Sequence, residues 1–149
     1  MCTEATLEQD ILALALTPRD KRKKLAVQIL NLTWENGLYP ASIAPIYRAL
    51  GRGELPPMTI PAFNVRGLTY PLARAIWRAA MQSHCGPIIF ELAPSESTGC
   101  DQTFEEYAAM TMAAAFKEGY RGPVFMQGDH FSVDDLSDAE PLKDLALQV

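Results

Sequence analysis

The sequence predicts an α/β fold built on a parallel sheet, on three observations. From Met58 onward, short apolar runs alternate with longer segments of helical periodicity. The run Gly86-Pro87-Ile88-Ile89-Phe90 returns as Gly122-Pro123-Val124-Phe125-Met126, so the same turn chemistry precedes the same kind of buried strand, each time after a helix. Strand starts near positions 58, 87 and 122 are separated by roughly thirty residues, the length of one strand–helix unit.

Composition bounds this fold to one ordinary core. Of 149 residues, 48% are hydrophobic and 21% charged, which excludes a chain disordered throughout and suits a single domain. A net charge of −5 supplies no global positive field, so neither nucleic acid nor an anionic membrane is an expected partner. No stretch reaches the ~18–20 apolar residues that span a bilayer, and Met1-Cys2-Thr3-Glu4-Ala5 lacks the basic start of a secretory leader. The expected compartment is the cytoplasm. Cys2, Cys85 and Cys100, never spaced C-x-x-C, read as reduced thiols rather than a disulfide framework or a sulfur-ligated zinc site.

Residues 1–56 read as an N-terminal helical segment. Thr6 and Gln9 make a capping box ahead of Ile11, Leu12, Leu14 and Leu16. Thr17 caps a second helix with Pro18 at its first position; Leu25, Ile29, Leu32 and Trp34 follow near helical spacing, and Asn36-Gly37 stops it. A shorter helix fits Ser42 to Leu50. The basic run Arg19, Lys21, Arg22, Lys23, Lys24 reads as a solvated face, with a phosphate-binding patch as its functional alternative.

Residues 57–149 supply the strand–helix units. Met58 to Val65 reads as a strand, Tyr70 to Ser83 as a helix with an apolar stripe of Leu72, Ile76, Trp77 and Ala80, and Pro87 to Leu92 as a strand apolar on both faces. Thr103 with Glu106 opens the next helix, Gly119 ends it, and Val124 to Met126 is the third strand. Trp34 and Trp77 read as packing anchors, and Met58, Met81, Met110, Met112 and Met126 as core filler.

Right-handed crossovers put the C-terminal ends of the three strands on one rim, where the chemistry of parallel sheets gathers whether they stay open or close. The residues to inspect are therefore Asn64 to Gly67, then Glu91, Ala93, Ser95 and Glu96, then Gln127 to His130. Asp129 beside His130 joins a proton acceptor to a metal-ligating imidazole. Successive strand residues point to opposite faces, so both serve one site only if the chain leaves strand geometry there, for which Gly128 offers the freedom. The plainer reading of the dipeptide is a cap or a hydrogen-bonded pair. Glu91, at the end of a buried strand, needs a partner, which Arg66 or a substrate hydroxyl can supply. His84 closes a helix near the opposite rim and reads as a helix C-terminal residue.

In order and spacing, Pro61-Ala62-Phe63-Asn64-Val65, Gly86-Pro87-Ile88-Ile89-Phe90-Glu91 and Gly122 through Gln127-Gly128-Asp129-His130 resemble the first three βα units of the class II, metal-dependent fructose-bisphosphate and tagatose-bisphosphate aldolases. The similarity covers roughly residues 57 to 135. It implies a partial (β/α)8 TIM barrel preceded by the helical segment. It also implies a lyase that uses Zn2+ to cleave a phosphorylated ketose reversibly to dihydroxyacetone phosphate and an aldehyde, in enzymes that are often homo-oligomers of carbohydrate metabolism. By position, Asp129 matches the catalytic aspartate, His130 the first of three histidine metal ligands and Asn64 a substrate-contacting asparagine. Ser95 stands two residues beyond the position of a phosphate-contacting serine, where this chain has Ala93. Gln127 replaces a histidine that is not a metal ligand, which points to a divergent subgroup.

Roughly ninety residues follow Pro57, whereas a complete barrel takes about 250. The expectation is an N-terminal portion of such a barrel, from an incomplete gene or a shortened reading frame. It lacks two metal histidines and has no appreciable turnover alone, because one imidazole does not hold catalytic zinc. The acidic loop Asp134 to Glu140 and the uncapped helical pattern from Pro141 to Val149 agree with that, and the N-terminal helices are expected to cover the barrel's N-terminal mouth. Two alternatives stay open. One is a small non-catalytic α/β protein that binds a partner through its N-terminal helices; the other is a different metal-dependent phosphosugar lyase. An unpaired sheet edge beside Met126 would favour the fragment.

Overall fold

The structure, a computed structural model, describes residues 2–131; the expected acidic loop and the helical pattern from Pro141 lie outside them. The described elements are α1 (Leu7–Leu16), α2 (Arg19–Glu35), β1 (Leu38–Ala41), α3 (Ala44–Gly51), β2 (Ala62–Asn64), α4 (Thr69–Gln82), β3 (Ile89–Leu92), α5 (Pro94–Gly99), α6 (Phe104–Lys117) and β4 (Gly122–Gly128). The four strands form one parallel sheet in the order β1-β4-β3-β2. The α/β class and the parallel sheet read from the sequence are therefore present.

One hydrophobic core lies between the sheet and a layer of helices, with α6 packed against both α2 and α4. Phe90, Leu92, Leu38 and Val124 enter it from the strands, Ile88 from just before β3, and the rings of Trp77 and Phe90 meet at 5.6 Å. Residues of both the 1–56 and the 57–149 segments belong to this core. Because side chains alternate along a strand, Asn64, Glu91 and Gln127 fall on the opposite face from Phe63, Phe90 and Met126. Ile89 on that face is only 1% exposed, in keeping with a strand apolar on both sides.

Several local expectations need correction. Thr6 has helical backbone angles (φ −100°, ψ −7°), so its hydroxyl does not reach the N–H groups of the first turn and donates to Asp10 Oδ2 instead at 2.6 Å. Thr17 ends α1, donating its hydroxyl to Ala13 O, and α2 starts after Pro18 without a side-chain cap. Thr103 does accept from Glu106 N–H at 3.1 Å, but the Glu106 carboxylate does not close the box; it goes to Arg22 at 3.0 Å. The basic run is thus not simply a solvated face. Arg22, mostly covered, pairs with the buried Glu106 and with Asp101, and Arg19 pairs with Asp101, so the run ties α2 to the start of α6. Trp34 is 53% exposed, and Met58 and Met81 are exposed as well, so these three are not core; Trp77, Met110 and Met112 are buried.

The N-terminal segment does not cover the strand N-termini. Its helices α1 and α2 join the layer on α6, and β1 pairs with β4. The edge beside Met126 is accordingly occupied, not open. β1 is not among the strands expected from the sequence: Gly37, whose φ of +82° ends α2, reads as a stop signal, and the strand follows it directly. Gly122 N–H donates to Gly37 O at 2.9 Å, which turns alternate residues 37, 39 and 41 toward β4 and the nitrogen of Pro40 away from it. A proline is tolerated on that outer side, where it has no ladder bond to donate. The first expected strand, Met58–Val65, is reduced to Ala62–Asn64. Pro56, Pro57 and Pro61 crowd its approach.

Candidate functional site at the C-terminal rim

The parallel register brings three polar residues into one row: Asn64 stands opposite Glu91, and Glu91 opposite Gln127. Gln127 Nε2 donates to Glu91 Oε2 at 2.8 Å. The partner of Glu91 is therefore Gln127, not Arg66. The end of β3 is held from the helical side by Tyr107, whose hydroxyl donates to Glu91 O at 2.8 Å; burial pushes this phenol well above its ordinary range, so it stays a donor.

Asp129 continues the same strand. Its N–H donates to Leu92 O at 3.1 Å, so the ladder to β3 persists one residue past Gly128, and Asp129 takes the same parity as Gln127. The chain leaves strand geometry at His130, with φ +53°, rather than at Gly128. That turn brings His130 Nε2 to 3.7 Å from Asp129 Oδ1. The imidazole is 85% exposed and the carboxylate 29%, so one reaches into solvent while the other is sheltered by the rim.

Asn64 is held by neighbours of its own. Its Nδ2 donates to Glu96 Oε2 at 2.6 Å, and its Oδ1 accepts from Arg66 Nη1 at 3.2 Å. Glu96 also pairs with Arg66 and accepts from Ala93 N–H at 3.0 Å. Glu96 takes this position because 94–99 form a helix, an element absent from the sequence reading. The signal was there: Pro94 at a first helical position with a glutamate two residues on is a helix start. Ser95 lies exposed on α5, outside this network. His84 lies just past the end of α4, before β3 and so at the other end of the sheet.

A hollow of about 650 Å³ opens beside Gln127, walled by Ala41, Ser42, Ile43 and Tyr47 from β1 and α3. Among the described residues no group of three or more His, Cys, Asp or Glu side chains is placed to hold a metal ion. A catalytic zinc takes three protein ligands, so one imidazole beside one carboxylate does not fit a complete zinc site. No described helix is long and apolar enough to cross a membrane. Comparison with family models, with curated proteins and with solved structures finds no match.

Proposed function

We propose that this rim belongs to a class II aldolase-type site acting on a phosphorylated ketose, and that β2, β3 and β4 with their helices are the first three βα units of a barrel on that plan. The observation that carries the reading is the shared register of Asn64, Glu91 and Gln127, continued by Asp129 and His130. Successive strands lying side by side are also what such a barrel requires.

In this reading Asp129 is the catalytic residue. Its carboxylate takes the proton of the hydroxyl that becomes the aldehyde as the carbon–carbon bond breaks, and returns it in the condensation direction. Asn64 and Glu91 orient substrate hydroxyls, Ser95 is an outlying phosphate contact, and His130 contributes one imidazole toward the metal. The proposed compartment is the cytoplasm. With one imidazole at this rim, the 149-residue chain turns over no substrate. A second reading, a compact non-catalytic α/β protein, draws support from β1, which occupies the edge of β4 where a barrel would continue.

The test is calorimetric titration of the purified chain with dihydroxyacetone phosphate, alongside a zinc-supplemented ketose-bisphosphate cleavage assay. The reading expects binding at millimolar ligand, weakened about tenfold or more by Asn64→Ala and by Glu91→Ala, since each removes a polar contact to the ligand's oxygens. Equal affinity in both variants would sink the assignment. Turnover near that of a complete enzyme would overturn the statement that one imidazole is insufficient.

A further inference from the structure

We propose that Glu96 is the positioning residue of this rim: it fixes the Asn64 amide in the one orientation that leaves half of its hydrogen-bonding capacity open to a ligand. The inference rests on the reading of the rim as a sugar-phosphate site. Glu96 stands in the first turn of α5, and its mostly buried carboxylate reaches groups from two strand ends. Oε2 accepts from Ala93 N–H at 3.0 Å and from Asn64 Nδ2 at 2.6 Å, while Oε1 pairs with the Arg66 guanidinium. Arg66 Nη1 closes the triangle by donating to Asn64 Oδ1 at 3.2 Å.

The chemistry of the three groups permits only one arrangement. An ionised carboxylate accepts and cannot donate, and a guanidinium donates and cannot accept. Turning the Asn64 amide over would set its oxygen against the Glu96 oxygens and its N–H groups against the Arg66 donors. The amide is therefore locked, and the lock is anchored by the Ala93 N–H at the start of α5. A primary amide has two donor hydrogens and two acceptor lone pairs. The triangle uses one of each, leaving one N–H and one lone pair for a ligand. A sugar hydroxyl, which both donates and accepts, satisfies that pair, and the half-exposed Arg66 beside it adds positive charge for a phosphate. The site so defined takes a phosphorylated polyhydroxy compound, with Glu96 acting only through Asn64 and Arg66.

The test uses the 15N-labelled 149-residue chain and reads the two side-chain amide protons of Asn64. The wild type is expected to show them well separated, because one is bonded to a carboxylate. Glu96→Ala should collapse them toward the position of a free asparagine and lower dihydroxyacetone phosphate affinity about tenfold, the scale of one oriented hydrogen bond. Glu96→Gln, which keeps one acceptor oxygen but loses the Arg66 pair, should fall between. Unmoved backbone amides in α6 would show that the fold is intact. An Asn64 pair unchanged in Glu96→Ala, or equal ligand affinity, overturns the proposal. If Glu96→Ala fails to fold, Glu96→Gln decides: a splitting identical to the wild type overturns it. If the pair collapses but the ligand binds neither protein, the sugar-phosphate reading fails and the positioning role stands.

Discussion

The two edges of the sheet are finished in opposite ways. At β1 the nitrogen of Pro40 faces outward, so that edge offers no N–H at this position to an incoming strand, and the adjoining helix α2 is laid down on α6 through the pair of Arg22 with the buried Glu106. At β2 the bond from Ile89 N–H to Pro61 O turns alternate residues toward β3 and leaves Ala62 and Asn64 facing outward. Beside it, between β2 and α4, runs an apolar groove of about 390 Å³ lined by Phe63, Leu72, Ala75, Ile76 and Ala79. Among the described strands, the edge at β1 is thus blunted at Pro40, and the edge at β2 keeps its outward backbone groups beside Asn64.

The closed side should break hardest. Arg22→Ala leaves Glu106 buried without its counter-charge, a loss of about 3 kcal/mol at pH 7, measurable by urea unfolding. Burial already holds the Glu106 carboxyl above its ordinary pKa despite Arg22, and removing the guanidinium raises it further. A folded-state pKa above the unfolded one gives stability that is complete below the unfolded value and lost as pH rises through the folded one. The variant should therefore lie closest to the wild type near pH 4 and fall away toward pH 7. Next in size, Gly37→Ala should cost about 1 kcal/mol. A Cβ there meets nothing within 4 Å, so the cost is that of φ +82° at the turn into β1.

The open side should respond in association rather than stability. Leu72→Lys, in the groove and already exposed, should change unfolding free energy by less than about 0.5 kcal/mol while reducing self-association in sedimentation velocity. Pro40→Thr, which restores an outward N–H on the blunted edge, should increase it. The smallest effect concerns Cys2. Burial, then the hydrogen bond with Asp10, pushes its thiol up to about 12. Alkylation at neutral pH followed by mass spectrometry should modify the exposed Cys85 and Cys100 in the native protein and Cys2 only on unfolding.

The periodic part of this fold was legible in the sequence, and the part set by long-range pairing was not. Helices α4 and α6 follow from apolar stripes and end signals, and the repeated Gly-Pro run marks β3 and β4. The strand β1 has four residues including a proline, with no periodicity to read; only its partner β4, more than eighty positions away, makes it a strand. Arg22 looked like one charge in a basic run because Glu106 and Asp101 meet it only in three dimensions. At the rim, Asn64, Glu91, Asp129 and His130 were found from strand ends alone. The pairing of Glu91 with Gln127, and the hold of Glu96 on Asn64, depend on register between strands, which local pattern does not encode.

The most direct measurement is the map of amide shifts when dihydroxyacetone phosphate is titrated into the labelled chain. The account predicts that shifts concentrate at Asn64, Arg66, Gln127, Asp129 and His130, and that His84 and Tyr120 at the other end of the strands stay still. Shifts centred on that opposite end, or none at all at millimolar ligand, would contradict it.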